Sequence, residues 1–235
     1  MIYELRFYDI AAGRLADAHG RFIHHLPALF ARHGVHCVGR WSATTGRNGP
    51  RFVYLMAFRD YAEREAAWDS FYGDAEWWKV RAATNGASEL VERYDLFFLK
   101  PNAAWKPPAV APDETLGGQH EVILQQVSAG QNAGANEFLT TTYLPVLQAF
   151  GARPMGVFDM AAGTNMPALV IFLAWPDAAR RQAAMQAIES DERLVAAWRA
   201  QREKNGRAVF ERSEVTLLEP AAYWLPLATL GRAAG

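Results

Sequence analysis

Apolar and polar residues alternate through Ile2 to Tyr8, with Tyr3, Leu5 and Phe7 on one face and Glu4, Arg6 and Tyr8 on the other. A period of two predicts a strand. A helical stretch then runs from about Gly13 to Arg32 and stops at Gly34. Pro27 lies inside it, and an interior proline costs about 3 kcal/mol of helix stability, so a kink or a break is expected there. Val35 to Ser42 and Phe52 to Phe58 read as strands separated by a turn rich in Gly and Asn. Asp60 to Tyr72 and Asp74 to Thr84 read as short helices, with Asp74 as an N-cap and Asn85-Gly86 as a left-handed stop. Leu90 to Leu99 closes the unit as a strand. The order β-α-β-β-α-(α)-β is the ferredoxin-like pattern.

The pattern occurs twice. At an offset of 117 residues, NGPRFVYLMAFRDYA (Asn48 to Ala62) falls on NMPALVIFLAWPDAA (Asn165 to Ala179) without a gap. Glu4 meets Glu121, Asp74 meets Asp191, and Gly34, Gly39 and Gly46 meet Gly151, Gly156 and Gly163. One such unit covers one sheet face with helices and leaves the other apolar and bare; two copies bury those faces against each other. The expected fold class is therefore α+β, with two tandem ferredoxin-like repeats forming an intramolecular α/β barrel. The expected boundaries are 1–100 for the first repeat, 101–119 for a linker rich in Pro and Ala, 120–220 for the second, degenerate repeat, and 221–235 for a loose tail.

Several segments resemble the NIPSNAP family, within the dimeric α/β-barrel superfamily. They are YELR at Tyr3 to Arg6, RHG at Arg32 to Gly34, VGRW at Val38 to Trp41, YLMAFRDYAEREAAW ending at Trp68, and FYGDAEWWKVR from Phe71. One departure is Ala75, where the family often has Pro. The resemblance implies the barrel. It leaves the chemistry open, because the superfamily it points to includes cofactor-free monooxygenases, haem enzymes, isomerases and non-enzymes.

Composition narrows the classes. A net charge of −1 with interspersed signs excludes an electrostatic footprint for nucleic acid. No run approaches the ~18 apolar residues of a membrane helix, so no membrane partner is expected. Cys37 is the single cysteine, in keeping with a reducing, cytoplasmic setting, and reads as a small buried hydrophobe. The chain lacks GxGxxG after a strand, GxxxxGK and GxSxG, which disfavours nucleotide, phosphoryl-transfer and serine-hydrolase chemistry. The cofactor, if any, stays unknown at this stage, and homo-oligomerisation is left open.

The two copies differ in their polar groups. Arg6 becomes Ile123, Tyr8 becomes Gln125, Arg40 becomes Val157, Tyr54 becomes Ile171, and Trp77-Trp78 becomes Leu194-Val195. Five of the six histidines also fall in the first copy. A small-molecule pocket is therefore expected there, with Arg6, Tyr8, His36 and Arg40 as catalytic candidates and Glu4, Trp41, Tyr54, Trp77 and Trp78 as binding candidates. Arg6 suits an anionic group, and His36, expected to share a strand face with Arg40, suits proton transfer. The structural alternatives are a Glu4–Arg6 pair, an edge-strand pair of His36 and Arg40, and core tryptophans, with Trp77 within reach of Arg81 for a cation–π contact. The histidines lack the i, i+4 spacing of a metal site; His33, at the helix end, is the one position read as open to haem or metal, against a hydrogen-bonded helix-end role.

Overall fold

Tyr3, Leu5 and Phe7 turn to the inside of a closed barrel, and Glu4, Arg6 and Tyr8 turn to the helices outside it. The computed structural model describes residues 1–43, 45–111, 114–223 and 229–230. The first repeat contains β1 (Ile2–Ile10), α1 (Leu15–His24), α2 (Leu26–Arg32), β2 (His36–Ala43), β3 (Arg51–Phe58), α3 (Tyr61–Gly73), α4 (Ala75–Asn85) and β4 (Val91–Pro101). The second contains β5 (Gln119–Val127), α5 (Asn132–Phe138), a π-helical turn (Leu139–Tyr143), α6 (Leu144–Ala149), β6 (Arg153–Ala162), β7 (Ala168–Trp175), α7 (Ala178–Ile188), α8 (Glu192–Asn205) and β8 (Phe210–Pro220).

The strand order round the barrel is β1-β3-β2-β8-β5-β7-β6-β4, antiparallel throughout. Each repeat is a four-stranded ferredoxin-like sheet, and the two join through β2–β8 and β4–β6. The inward faces make one shared core, in which Trp41 stacks on Phe172 and Tyr3 meets Phe158. Closure leaves neither sheet with a free edge. Each outward face is covered by its own repeat's helices, so β3 and β7 are buried along their whole length.

Local sequence signals repeat as structure. Asp60 and Asp177 cap α3 and α7, and Asp74 and Asp191 cap α4 and α8, each accepting from a backbone N–H of its first turn. Asn48 and Asn165 both take left-handed backbone, at φ 55° and 57°, in equivalent hairpin turns. The long helical stretch breaks at His25, one residue before Leu26-Pro27 opens α2; proline is tolerated at that first turn because its missing N–H has no partner there.

Two details depart from the sequence reading. β2 carries a bulge between Cys37 and Gly39, repeated in β6 between Pro154 and Gly156. Each bulge brings an aromatic ring over its glycine: an added Cβ on Gly39 would lie 2.0 Å from the Trp41 ring, and one on Gly156 2.7 Å from the Phe158 ring. The expected loose tail is only partly described, residues 224–228 and 231–235 lying outside the described residues. Leu230 nonetheless sits in the barrel core, its N–H donating to the Met155 carbonyl at 2.7 Å. No helix among the described residues is long and apolar enough to cross a membrane.

Candidate functional site

Glu4 is fully buried beneath α3 and needs partners for both carboxylate oxygens. It accepts from Arg6, from Arg64 Nε at 2.6 Å and from the Trp68 indole N–H at 3.2 Å. Its counterpart Glu121 accepts from Arg181 Nε at 2.6 Å and Trp175 at 2.9 Å, without a strand arginine. The repeated glutamate–arginine pair belongs to the fold. Arg6 is the addition, with a second guanidinium brought to one carboxylate.

The surplus charge of Arg6 is directed at two phenols. Its Nη1 donates to Tyr8 at 3.0 Å and lies 3.5 Å from the Tyr54 hydroxyl, while Tyr54 in turn donates to Tyr8. The guanidinium also stacks over Trp68, 4.1 Å from its ring centre. Burial works against its charge, but Tyr54, Tyr8 and Glu4 outweigh that and hold it firmly protonated. Burial raises the Tyr8 phenol above its usual range although Arg6 pulls it down, and raises Tyr54 further. Tyr8 is thus a neutral phenol whose oxygen accepts two hydrogen bonds and whose proton is free to donate.

Tyr8, Tyr54 and Trp68 of this cluster line a cavity of ≈ 30 Å³ between β1, β3 and the four helices of the first repeat. That is room for a water or two. Tyr8, Arg21, Tyr72, Trp77 and Val91 also wall a larger, outer cleft of ≈ 570 Å³. The cleft adds Trp78, Tyr94 and charges of both signs, among them Arg81, Arg93, Glu89 and Asp95. The inner chamber is mostly apolar; the outer one is aromatic and charged.

The structure brings Glu4, Arg6, Tyr8, Tyr54 and Trp77 together and sets Trp78 at the rim of the outer cleft. The other candidates lie elsewhere. Trp41 is inside the barrel, fully buried, its indole N–H donating to His120 Nδ1 at 3.1 Å. The β2 bulge corrects the expectation that His36 and Arg40 share a face. His36 pairs with Ala57 of the barrel interior, whereas Arg40 pairs with Tyr54 of the helix-covered face, because Val38 is the extra residue between them. Exposed at its strand end, His36 lines neither chamber, and Arg40 donates to the Cys37 thiol at 3.3 Å. The expected Trp77–Arg81 contact is also exchanged: Arg81 lies over Trp78 at 5.7 Å, and Arg21 lies over Trp77 at 5.6 Å.

His33 takes the helix-end role. It bonds Ser70 Oγ at 2.7 Å and Asp74 Oδ2 at 2.9 Å, occupying both ring nitrogens. Asp74, also capping α4, is held down to about 2 by His33 and the Glu76 N–H. No group of three or more metal-ligating side chains occurs among the described residues.

Sequence reasoning missed Arg21, Trp68 and Tyr72. Arg21 had a legible signal, since it sits between Ala18 and Phe22 on the buried stripe of α1, and the same offset of 117 puts Phe138 in its place. In the second repeat Ile123, Phe138, Leu139, Ile171 and Leu194 fill the equivalent volume with hydrocarbon.

Residues 3–105 match the NIPSNAP family model. No curated protein matches the chain. A candidate monooxygenase from Lactobacillus acidophilus is similar over 97% of this chain and 96% of its own, at 10% identity and a TM-score of 0.56. Another from Fusobacterium nucleatum is similar over 93% and 91%, also at 10% and 0.56. An anthrone oxidase-like protein is similar over 100% and 96%, at 11% and 0.55. Likeness at this identity establishes the two-repeat barrel across the whole chain and nothing finer. The NIPSNAP match thus covers the first repeat, and the second half of the same chain completes the barrel.

Proposed function

We propose that the first-repeat pocket binds a small planar molecule bearing a carbonyl or phenolic oxygen and promotes a nucleotide-independent proton transfer that leads to rearrangement or oxygenation. The observation that carries this reading is the Tyr8 hydroxyl, held by Arg6 at 3.0 Å and by Tyr54 on the wall shared by both chambers. A phenol so fixed donates to an oxygen that gains charge as a neighbouring C–H proton leaves, and its own oxygen is already stabilised by two donors. No carboxylate or imidazole among the described residues lines the inner chamber, so Tyr8 serves there as acid and oxyanion donor, while water in the outer cleft carries the proton to the carboxylates that line it, Glu89 and Asp95 among them. Trp77 and Tyr72 limit access of that water to the reacting oxygen. Fold neighbours named as candidate monooxygenases and as anthrone oxidase-like support oxygenation within this class.

Anthrone is a suitable probe, because its CH₂ lies between two rings opposite a ketone. Oxygenation to the quinone consumes one O₂, places one oxygen atom on carbon and releases the other with both hydrogens as water. Oxygen uptake with anthrone is expected for the wild type and is expected to fall about 100-fold in Tyr8→Phe, within the range of a lost general acid. Tryptophan-fluorescence binding of anthrone with no uptake would replace the enzyme by a binding module; no binding at all would overturn both.

A further inference from the structure

We propose that Arg21 and the Trp77 indole N–H form an anion subsite, and that the pocket's natural ligand is a planar aromatic monocarboxylic acid whose carboxylate lies at this subsite and whose ring system lies in the outer cleft. The inference deepens the binding reading of the same pocket and rests on it.

Arg21 is 6% exposed and has no carboxylate within ion-pair distance among the described residues. Its guanidinium donates to two neutral oxygens, Thr84 Oγ1 at 2.8 Å and Asn85 Oδ1 at 2.7 Å, from Nε and Nη2. Every other deeply buried arginine described here has a carboxylate: Arg6 has Glu4, and Arg51 has Asp9 and Asp95. A buried cation without a counterion is costly, and the cost falls when an anion is bound beside it. Burial and the nearby Arg81 and Arg14 lower its pKa to about 10, so it remains charged at neutral pH.

Trp77 supplies an independent sign. It is 8% exposed, and its Nε1 is buried with no hydrogen-bond partner among the described residues. An orphaned buried N–H is uncommon and marks a place where a partner is missing. The Arg21 guanidinium lies 5.6 Å from the Trp77 ring centre, and both residues wall both chambers. Arg21 and Trp77 therefore wall one small volume, and the described residues supply neither a carboxylate to the guanidinium nor an acceptor to the indole N–H. A carboxylate fits both the charge and the donor count.

The shape fixes the rest of the ligand. At ≈ 30 Å³ the inner chamber has no room for a ring, whereas the outer cleft has ≈ 570 Å³. Its rim carries Tyr72, Trp78 and Tyr94, exposed by 43%, 49% and 58%. Exposed aromatic faces beside a cleft suit a flat aromatic body.

The test compares 2-naphthoate with its neutral isostere 2-naphthamide by calorimetry on the full chain. Naphthoate is expected to bind at least about tenfold more tightly, the scale of a charge-assisted contact. Arg21→Gln should remove that preference and leave naphthamide unchanged, and Arg21→Lys should restore part of it. The Trp77 indole N–H resonance, assigned through its bonded neighbours in the wild type, should move downfield with naphthoate, so this result does not depend on a variant folding. Equal binding of the two probes, or an unmoved indole resonance, overturns the anion subsite while leaving the pocket as a binding site. Binding of neither overturns the subsite and the pocket together.

Discussion

Arg64 and Arg181 hold the buried glutamates of their respective repeats through the same Nε–carboxylate bond, 2.6 Å in each. They are equivalent positions in the duplicated unit, so the bond belongs to the repeated fold. What the first half has in addition is Arg6, Tyr8, Tyr54, Arg21 and Trp77: Tyr8, Arg21 and Trp77 wall both chambers, Tyr54 walls the inner one, and Arg6 holds the Tyr8 hydroxyl. The comparison separates groups the barrel needs from groups the pocket needs.

Removing the shared carboxylate should expose that difference. Glu4→Gln leaves Arg6 and Arg64 beside a neutral amide, and breaking a buried pair costs about 3–5 kcal/mol. Glu121→Gln leaves only Arg181 and should cost less. Urea unfolding of both variants is the measurement. A larger loss for Glu121→Gln would contradict the reading of Arg6 as an added, dependent charge.

The phenol pair can be tested separately from the acid. Tyr54→Phe keeps the ring contact with Tyr8 at 5.0 Å and removes only the hydroxyl that donates to it. A neutral hydrogen bond contributes about 1 kcal/mol, so stability should fall by no more than that while anthrone oxidation slows roughly fivefold. Oxidation at the wild-type rate would remove Tyr54 from the relay.

Much of the fold was legible because it is written twice. Glu4, Asp74 and the glycine positions recur at one offset, and strict alternation in the first strand already separates Tyr3, Leu5 and Phe7 from Glu4, Arg6 and Tyr8. Alternation failed in the second strand. Val38 and Trp41 both face the barrel, since the bulge inserts one residue, and so Trp41 moved out of the expected site and His36 parted from Arg40. Nothing in HCVGRW marks a bulge except Gly39, and a glycine in a strand has several explanations. Arg21 stands apart from the strand pattern altogether: it is a cation on the apolar stripe of a helix, where it carries the same first-copy contrast.

The bulge glycine should not tolerate a side chain. An alanine Cβ at position 39 would fall 2.0 Å from the Trp41 ring, inside the packed barrel core. Overpacking of this kind costs about 1–3 kcal/mol. Gly39→Ala should lower the thermal midpoint and perturb the near-ultraviolet signal of Trp41. An unchanged midpoint would mean that the ring has another place to go.

His120 should make the barrel acid-sensitive. It is 1% exposed, accepts from the Trp41 indole at Nδ1 and donates from Nε2 to the Gly117 carbonyl at 3.2 Å, which requires the neutral Nε2–H tautomer. Burial lowers its pKa to about 4, against 6.5 for the free side chain. Above pH 6.5 it is neutral in both the folded and unfolded chain, and its contribution to stability is whole. As pH falls from 6.5 to 4 the unfolded chain takes up the proton and the folded one does not, so stability is lost progressively, by about 3 kcal/mol over the window. Carboxylates add their own losses at the acid end, which the variant His120→Gln shares. Urea stability at pH 7 and about pH 4.5 should therefore fall more steeply in the wild type than in His120→Gln, by about 2–3 kcal/mol. Parallel losses in the two proteins would show that the imidazole is charged inside the barrel or reaches water before the chain unfolds.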